Sequence, residues 1–154
     1  AGFGNADLVT DEVLEFSNNF YANIKEQSTG MHAFELLVNK NSGAISLEPG
    51  PNMMWNTKYG MMGGSGGMMG NWYGDTHSGN ATISPEQAKQ YAQSYLDQYD
   101  KATKAGDADP FYGYYTLETL KDGKTSGMLS VNAYSGQVWY HTWHGLFIQT
   151  RANP

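Results

Sequence analysis

The chain has 154 residues, no cysteine and a formal net charge of −6, and 40% of its residues are hydrophobic. The absence of cysteine excludes disulfides, thiolate zinc sites and iron–sulfur clusters. Lys and Arg residues form no cluster, so nucleic acid is not an expected partner. No run of about 18 apolar residues occurs, and the sequence therefore predicts that the chain does not span a membrane.

The first predicted element is an amphipathic helix over residues 10–27. Thr10 is a suitable N-cap and is followed by two acidic residues. Apolar side chains then recur at helical spacing, at Val13, Phe16, Phe20 and Ile24. Two strands, "HAFELLVN" (32–39) and "AISLE" (44–48), follow on either side of a "KNSG" turn. These elements predict a first helix-plus-hairpin unit over residues 7–52.

A connecting segment over residues 53–80 contains "MMWNTKYGMMGGSGGMMG". Thioether sulfur is a soft ligand that selects Cu(I), so one interpretation is a site for Cu(I) or Ag(I) with help from His141 or His144. Its ligands would be drawn from Met53, Met54, Met61, Met62, Met68 and Met69. The plainer interpretation is packing, because methionine fills irregular gaps and contacts aromatic rings favourably. A third interpretation is that this segment is a flexible tether between the two units.

A second unit is predicted over residues 81–150. The stretch "ISPEQAKQYAQSYLDQY" carries strong helix-start signals, with Ser84 as N-cap, Pro85 at the first helical position and Gln87 at the capping-box position. Strands are predicted at "FYGYYTLETL", "GMLSVNAY" and "QVWYHTW", separated by Asp-Gly and Ser-Gly turns. The tail "LFIQT" is a candidate edge strand.

The two units share a repeat. Val38–Ile45 and Val131–Val138 both fit the pattern V-N-x-x-S-G-x-[I/V]. The sequence thus predicts a duplication, with two helix-plus-antiparallel-hairpin units packed as one globule.

The stretch "ISPEQAKQYA" (Ile83–Ala92) resembles the opening of a PepSY domain, and "SVNAYSGQVW" (Ser130–Trp139) resembles its ending, with Asn132 where that family usually has Asp. The first unit resembles the family less closely, through "LVTDEVLEF" and "LVNKNSGAI". The resemblance implies an α+β fold with the helices packed on a curved antiparallel sheet. It also implies an extracytoplasmic protein, periplasmic or at the cell surface, whose signal peptide has been removed. The family has no shared catalytic residues, so the resemblance implies no enzymatic activity.

The "HTWH" pair, His141 and His144, is a further metal candidate. On a strand, side chains three residues apart point to opposite faces. Both histidines are therefore expected to meet at one metal ion only if the strand ends before them.

The preferred functional hypothesis is a non-catalytic extracytoplasmic binding or regulatory module that recognises a protein or peptide. Its expected binding surface is aromatic: Trp55, Tyr59, Trp72, Tyr73, Trp139 and Trp143. The alternative is a soft-metal protein, with Cu(I) as the single cofactor considered. No Ser/His/Asp set or carboxylate pair can be assigned from spacing, so an enzyme is not expected.

Overall fold

The computed structural model describes residues 7–59 and 82–151, in which there are ten strands and two helices. The strands are β1 (Leu8–Phe16), β2 (Asn19–Glu26), β3 (His32–Asn39), β4 (Ile45–Leu47), β5 (Thr103–Ala105), β6 (Asp109–Pro110), β7 (Tyr114–Lys121), β8 (Lys124–Asn132), β9 (Val138–Tyr140) and β10 (Phe147–Arg151). The helices are the single turn α1 (Pro51–Met54) and α2 (Pro85–Asp97). Neither described helix is long and apolar enough to cross a bilayer.

The strands form two antiparallel sheets. The first has the order β10-β1-β2-β3-β4, and the second has the order β5-β7-β8-β9 with β6 also paired to β7. The last strand, β10, follows the second sheet in sequence but pairs with β1 of the first. The connection between β9 and β10 therefore runs from one sheet to the other, which places its residues where the two sheets meet.

The predicted α+β fold of two helix-plus-hairpin units is wrong, because the structure is mainly antiparallel β and, within the described residues 7–59, two strands take the place of the helix predicted before the hairpin. Residues 10–27 form most of β1 and β2, joined by Ser17 and Asn18. Strand β1 pairs with β2 on one side and with β10 on the other. Pairing with two neighbours outweighs the helical spacing of the apolar side chains. Leu14 and Phe16, two residues apart as on one face of a strand, are fully buried between the sheets.

Helix α2 forms where its start signals predicted it. The Ser84 hydroxyl accepts a hydrogen bond from the Gln87 amide, and the Gln87 side chain accepts one from the Ser84 amide. This reciprocal capping box satisfies two amides at the helix start. The apolar stripe of α2 packs on the second sheet, whose strands β7 and β8 turn alternate residues toward the helix and toward the first sheet.

The two V-N-x-x-S-G segments form the same turn. In β3–β4 the Asn39 side chain accepts from the amides of Asn41 and Ser42, and Asn39 and Gly43 complete the turn with backbone bonds. The β8–β9 turn has the same contacts. The Asn132 side chain accepts from the amides of Tyr134 and Ser135, and Asn132 and Gly136 make the equivalent backbone bonds. Gly43 and Gly136 have φ of 74° and 77°, a left-handed conformation that favours glycine.

The space between the sheets is partly apolar and partly polar. Met128 of the second sheet packs with Leu14, Phe16 and Tyr21 of the first. Beside this cluster lie polar side chains that are almost wholly buried, namely Asn19, Glu35, Glu48, Asn52, Thr116, Ser130, His141 and His144. Buried carboxyl and imidazole groups are costly without partners, so this polar cluster is the candidate site.

Candidate metal centre

Three potential metal ligands converge between the sheets. Glu48 follows the last residue of β4, His141 follows the last residue of β9, and His144 lies in the connection to β10. One ligand atom from each lies within 4.8 Å of the others. The side chains of Glu48 and His141 are 0% exposed, and that of His144 is 1% exposed.

The distances between ligand atoms suit a metal ion. His141 Nδ1 lies 3.2 Å from Glu48 Oε1, and His144 Nε2 lies 3.2 Å from Glu48 Oε2. The two nitrogens are 3.4 Å apart. Ligand atoms held about 2.0–2.2 Å from one tetrahedral ion are separated by about 3.3–3.6 Å. Each histidine nitrogen therefore lies at close to this spacing from the other nitrogen and from one oxygen of Glu48, a different oxygen for each histidine.

The second nitrogen of His144 is fixed by Asn19. The amide Nδ2 of Asn19 donates to the Trp143 carbonyl at 3.1 Å, which turns its oxygen Oδ1 toward His144 Nδ1, 3.1 Å away. An amide oxygen only accepts, so Nδ1 of His144 carries the proton and Nε2 presents its lone pair to the centre. Metal-binding histidines are commonly oriented in this way by a hydrogen bond from the other ring nitrogen.

His141 has an equivalent partner on the second sheet. Its Nε2 lies 2.9 Å from the Ser130 hydroxyl, which in turn lies 3.0 Å from the Thr116 hydroxyl. When Nε2 donates to Ser130 and Ser130 donates to Thr116, Nδ1 of His141 is left with a lone pair directed at Glu48 and His144. Both histidines then offer a ligand nitrogen to the same point.

Burial makes the charged forms of these groups unfavourable. It raises the pKa of Glu48 well above its usual value, although the nearby Trp143 indole opposes the rise. It lowers the pKa of His141 well below 6.5, an effect reinforced by His144, and it lowers the pKa of His144 to about 4, against the attraction of Glu35. Neither oxygen of Glu48 has a hydrogen-bond partner of good geometry within 7–59 and 82–151. A bound cation would compensate both effects, because it stabilises a carboxylate and uses neutral imidazoles.

A second buried carboxyl, Glu35, lies beside the centre. Tyr21 and Tyr114 donate their hydroxyls to its two oxygens at 2.6 and 2.7 Å. Burial and the neighbouring Glu48 raise the pKa of Glu35 to about 8, even though these hydroxyls favour the charged form. Asn52 fixes the backbone, because its amide nitrogen donates to the carbonyls of Glu35 and Glu48.

The contacts around His141 also match those of a serine-hydrolase triad. The Ser130 hydroxyl lies against one ring nitrogen of His141, and Glu48 lies against the other. In such a triad the hydroxyl attacks a substrate carbonyl. Ser130, however, is 0% exposed and is held by Thr116. The arrangement therefore supports metal coordination better than nucleophilic attack.

Only two of the six predicted methionine ligands lie within the described residues. Strand β9 ends at Tyr140, earlier than the predicted strand over "QVWYHTW", so the condition under which the two histidines can meet is fulfilled, and their ring nitrogens lie 3.4 Å apart. Met53 and Met54 lie in α1, and Met54 is half exposed. The other predicted ligands and two of the predicted aromatic contacts lie outside the described residues: Met61, Met62, Met68, Met69, Trp72 and Tyr73.

The predicted aromatic surface is not a continuous exposed patch among the described residues. Trp55 packs edge-on against Trp139, and Tyr59 packs against Phe34, so these rings are half-buried. Trp143 stacks on the His141 ring with centroids 4.8 Å apart. Trp143, which was predicted to contact a partner, thus packs against a ligand of the metal centre.

Glu48 was missed from the sequence, although a signal for it exists. It stands three residues after Ile45, the last residue of the first V-N-x-x-S-G repeat, and His141 stands three residues after Val138, the last residue of the second. Aligning the repeats beyond their ends would have paired the two ligands.

Comparison of the chain with protein-family models, curated proteins and solved structures finds no match. The resemblance to PepSY domains therefore stays a prediction.

Proposed function

We propose that this protein binds one divalent transition-metal ion of the zinc class through Glu48, His141 and His144. Two imidazole nitrogens and one carboxylate oxygen suit Zn²⁺, Fe²⁺ or Co²⁺ better than Cu(I), which prefers thioether and thiolate sulfur. The observation that supports this most directly is the convergence of three buried side chains, in which each histidine nitrogen lies 3.2 Å from one oxygen of Glu48 and 3.4 Å from the other nitrogen.

The bound ion would join parts of the chain that are far apart in sequence. Glu48 lies at the end of the β3–β4 hairpin, and both histidines lie in the connection that crosses from the second sheet to the first. Binding would thus hold the two sheets together, and no catalytic step is part of the proposal.

An extracytoplasmic location is part of the proposal. The ligand set contains no cysteine, since the chain has none. Imidazole and carboxylate ligands are not consumed by the thiol oxidation that occurs in oxidising compartments. Such a centre would stay intact in a periplasm or at a cell surface.

The test is a competition titration with Zn²⁺ and a chromophoric chelator, on the wild type and on Glu48→Gln, His141→Gln and His144→Gln. Each ligand variant should lose more than about 100-fold in affinity, beyond the loss expected from removing only an orienting residue. His32→Gln is the matched control, because His32 bonds to Asp11 away from this centre, and it should bind as the wild type does. Wild-type affinity in all three ligand variants would refute the site.

The soft-metal alternative is separated by a second titration, with Cu(I) under reducing conditions. A variant with Met53, Met54, Met61, Met62, Met68 and Met69 all changed to leucine keeps the three proposed ligands. If Cu(I) binds this variant as tightly as the wild type, the methionines are not its ligands. If Cu(I) affinity falls while Zn²⁺ affinity does not, the protein has two sites of different chemistry.

Recognition of a protein or peptide is a second candidate, favoured by apolar side chains exposed at both edges of the first sheet. Ile45 on β4 is 64% exposed, and Ile148 on β10 is 49% exposed. Edge strands can pair with an extended peptide, and apolar side chains beside them add contact area. Selection of peptides on the immobilised protein should yield extended apolar sequences whose binding is lost in Ile45→Lys or Ile148→Lys. Selected peptides that bind both variants unchanged would contradict this surface.

A further inference from the structure

Trp143 places an unused hydrogen-bond donor at the metal centre. Its Nε1 is buried and has no hydrogen-bond partner within the described ranges 7–59 and 82–151. The indole lies close enough to Glu48 to favour the charged carboxylate, although no bond of good geometry joins them. A buried N–H without an acceptor is unfavourable, so its presence at this point calls for an acceptor.

The position of the indole is fixed by its surroundings. The ring is stacked on His141 with an interplanar angle of 17°. The Trp143 carbonyl accepts hydrogen bonds from the side chains of Asn18 and Asn19. Gly50, with φ of 77°, lets the ring approach closely, because a Cβ there would lie 3.0 Å from Trp143 Cη2. The donor is therefore held in place rather than free to turn toward solvent.

The protein supplies three ligands to the centre within the described residues. Zinc sites with three protein ligands usually keep a fourth position for water or another small molecule, whereas purely structural sites have four protein ligands. The ligand side chains are almost wholly buried, so a fourth ligand must be small. A water molecule or a small anion on the metal would be a hydrogen-bond acceptor of the kind that Trp143 lacks.

We propose that the metal ion held by Glu48, His141 and His144 keeps one coordination position for a water molecule that accepts a hydrogen bond from Trp143 Nε1, and that a small monovalent anion can replace this water. The inference rests on the proposed metal binding and adds to it an exchangeable ligand. It makes the centre a receptor for small anions as well as a link between the sheets.

The test uses the full chain loaded with Co²⁺, whose visible absorption reports its ligands, and sodium azide as the anion. Azide should change the absorption spectrum of the wild type in a saturable way. In Trp143→Phe, which keeps an aromatic ring beside His141, Co²⁺ should still bind but azide affinity should fall about tenfold, as expected for loss of one hydrogen bond to a charged group. Tyr140→Phe, which removes a hydroxyl from the neighbouring end of β9, should bind azide as the wild type does.

The possible failures are distinguishable. If Co²⁺ binds with a clear spectrum but azide changes nothing, the metal site stands and the exchangeable position is refuted. If azide binds wild type and Trp143→Phe equally, the indole is not the donor and the inference is overturned. If Co²⁺ does not bind, both the proposed function and this inference fail.

Discussion

Glu48 and His141 occupy the same position in the two copies of the hairpin repeat, and their side chains meet between the sheets with Oε1 and Nδ1 3.2 Å apart. Their backbones are held alike, since the Glu48 amide donates to the Glu35 carbonyl and the His141 amide donates to the Met128 carbonyl, both at 3.0 Å. Each repeat thus contributes one ligand from one equivalent position. The third ligand, His144, has no counterpart in the first repeat and comes from the crossing connection.

Zinc should stabilise the folded chain. At free Zn²⁺ about 100 times the dissociation constant, the free energy of unfolding should rise by about 2.7 kcal/mol, or about 5–10 °C in Tm for a domain of this size. Glu48→Gln is the control, because burial raises the pKa of Glu48 and so favours its neutral form, which the amide resembles in shape and charge. Thermal unfolding with Zn²⁺ and with a chelator measures both proteins. An equal rise in both would show that zinc acts elsewhere.

Asn19 should control metal affinity without being a ligand. Asn19→Ala removes the acceptor that orients His144, and loss of such a partner typically lowers metal affinity 10- to 100-fold. Asn18→Ala is closely matched, since the Asn18 side chain also donates to the Trp143 carbonyl but makes no bond to the His144 ring, and its backbone bond to the His144 carbonyl is kept in the variant. Chelator competition should find the loss in Asn19→Ala alone. Equal losses in the two variants would mean that both act by holding Trp143.

The elements with local signals were the ones predictable from sequence. Ser84, Pro85 and Gln87 define the start of α2 by short-range hydrogen bonds, and the two N-x-x-S-G turns are fixed by the side chain of their own asparagine. Strand β1 was mistaken for a helix partly because one of its two pairing partners, β10, lies more than a hundred residues away. Propensity over a short window contains no information about such a partner.

The candidate site was predictable only in part, for the same reason. His141 and His144 are close in sequence, but their convergence depends on where β9 ends, and Glu48 reaches them only through sheet packing. Sulfur ligands were predicted because the methionines are clustered in the sequence. The structure instead brings together the nitrogen ligands of His141 and His144 and an oxygen ligand of Glu48, which is far from them in the sequence.

Acid should unfold the protein partly through Glu26. Burial alone would raise the pKa of Glu26, but hydrogen bonds from Lys58, Tyr112, Tyr59 and Thr29 bring it down to about 2 from 4.5. Because the folded pKa is the lower one, the stabilisation is present above pH 4.5 and is lost as the pH falls from about 4.5 to about 2. It amounts to at most about 3 kcal/mol.

Urea unfolding across this pH range measures that loss. Glu26→Gln should be less stable than the wild type at pH 7 and should lose less stability between pH 4.5 and pH 2. Glu86→Gln, the same chemical change at an exposed position of α2, should follow the wild-type profile. A Glu26→Gln protein with the wild-type acid profile would show that Glu26 does not set it.

The two repeat glycines offer an internal comparison of backbone strain and packing. Gly43→Ala and Gly136→Ala place a Cβ at nearly the same positive φ, which costs about 1–2 kcal/mol. At Gly43 the new methyl group would meet nothing within 4 Å, whereas at Gly136 it would lie 3.1 Å from the Tyr91 ring and 3.3 Å from Ile83 Cδ1. Overpacking against α2 should add about 1–3 kcal/mol to the second substitution. Urea unfolding of both variants at neutral pH separates the two contributions, and equal losses would mean that Tyr91 moves aside without cost.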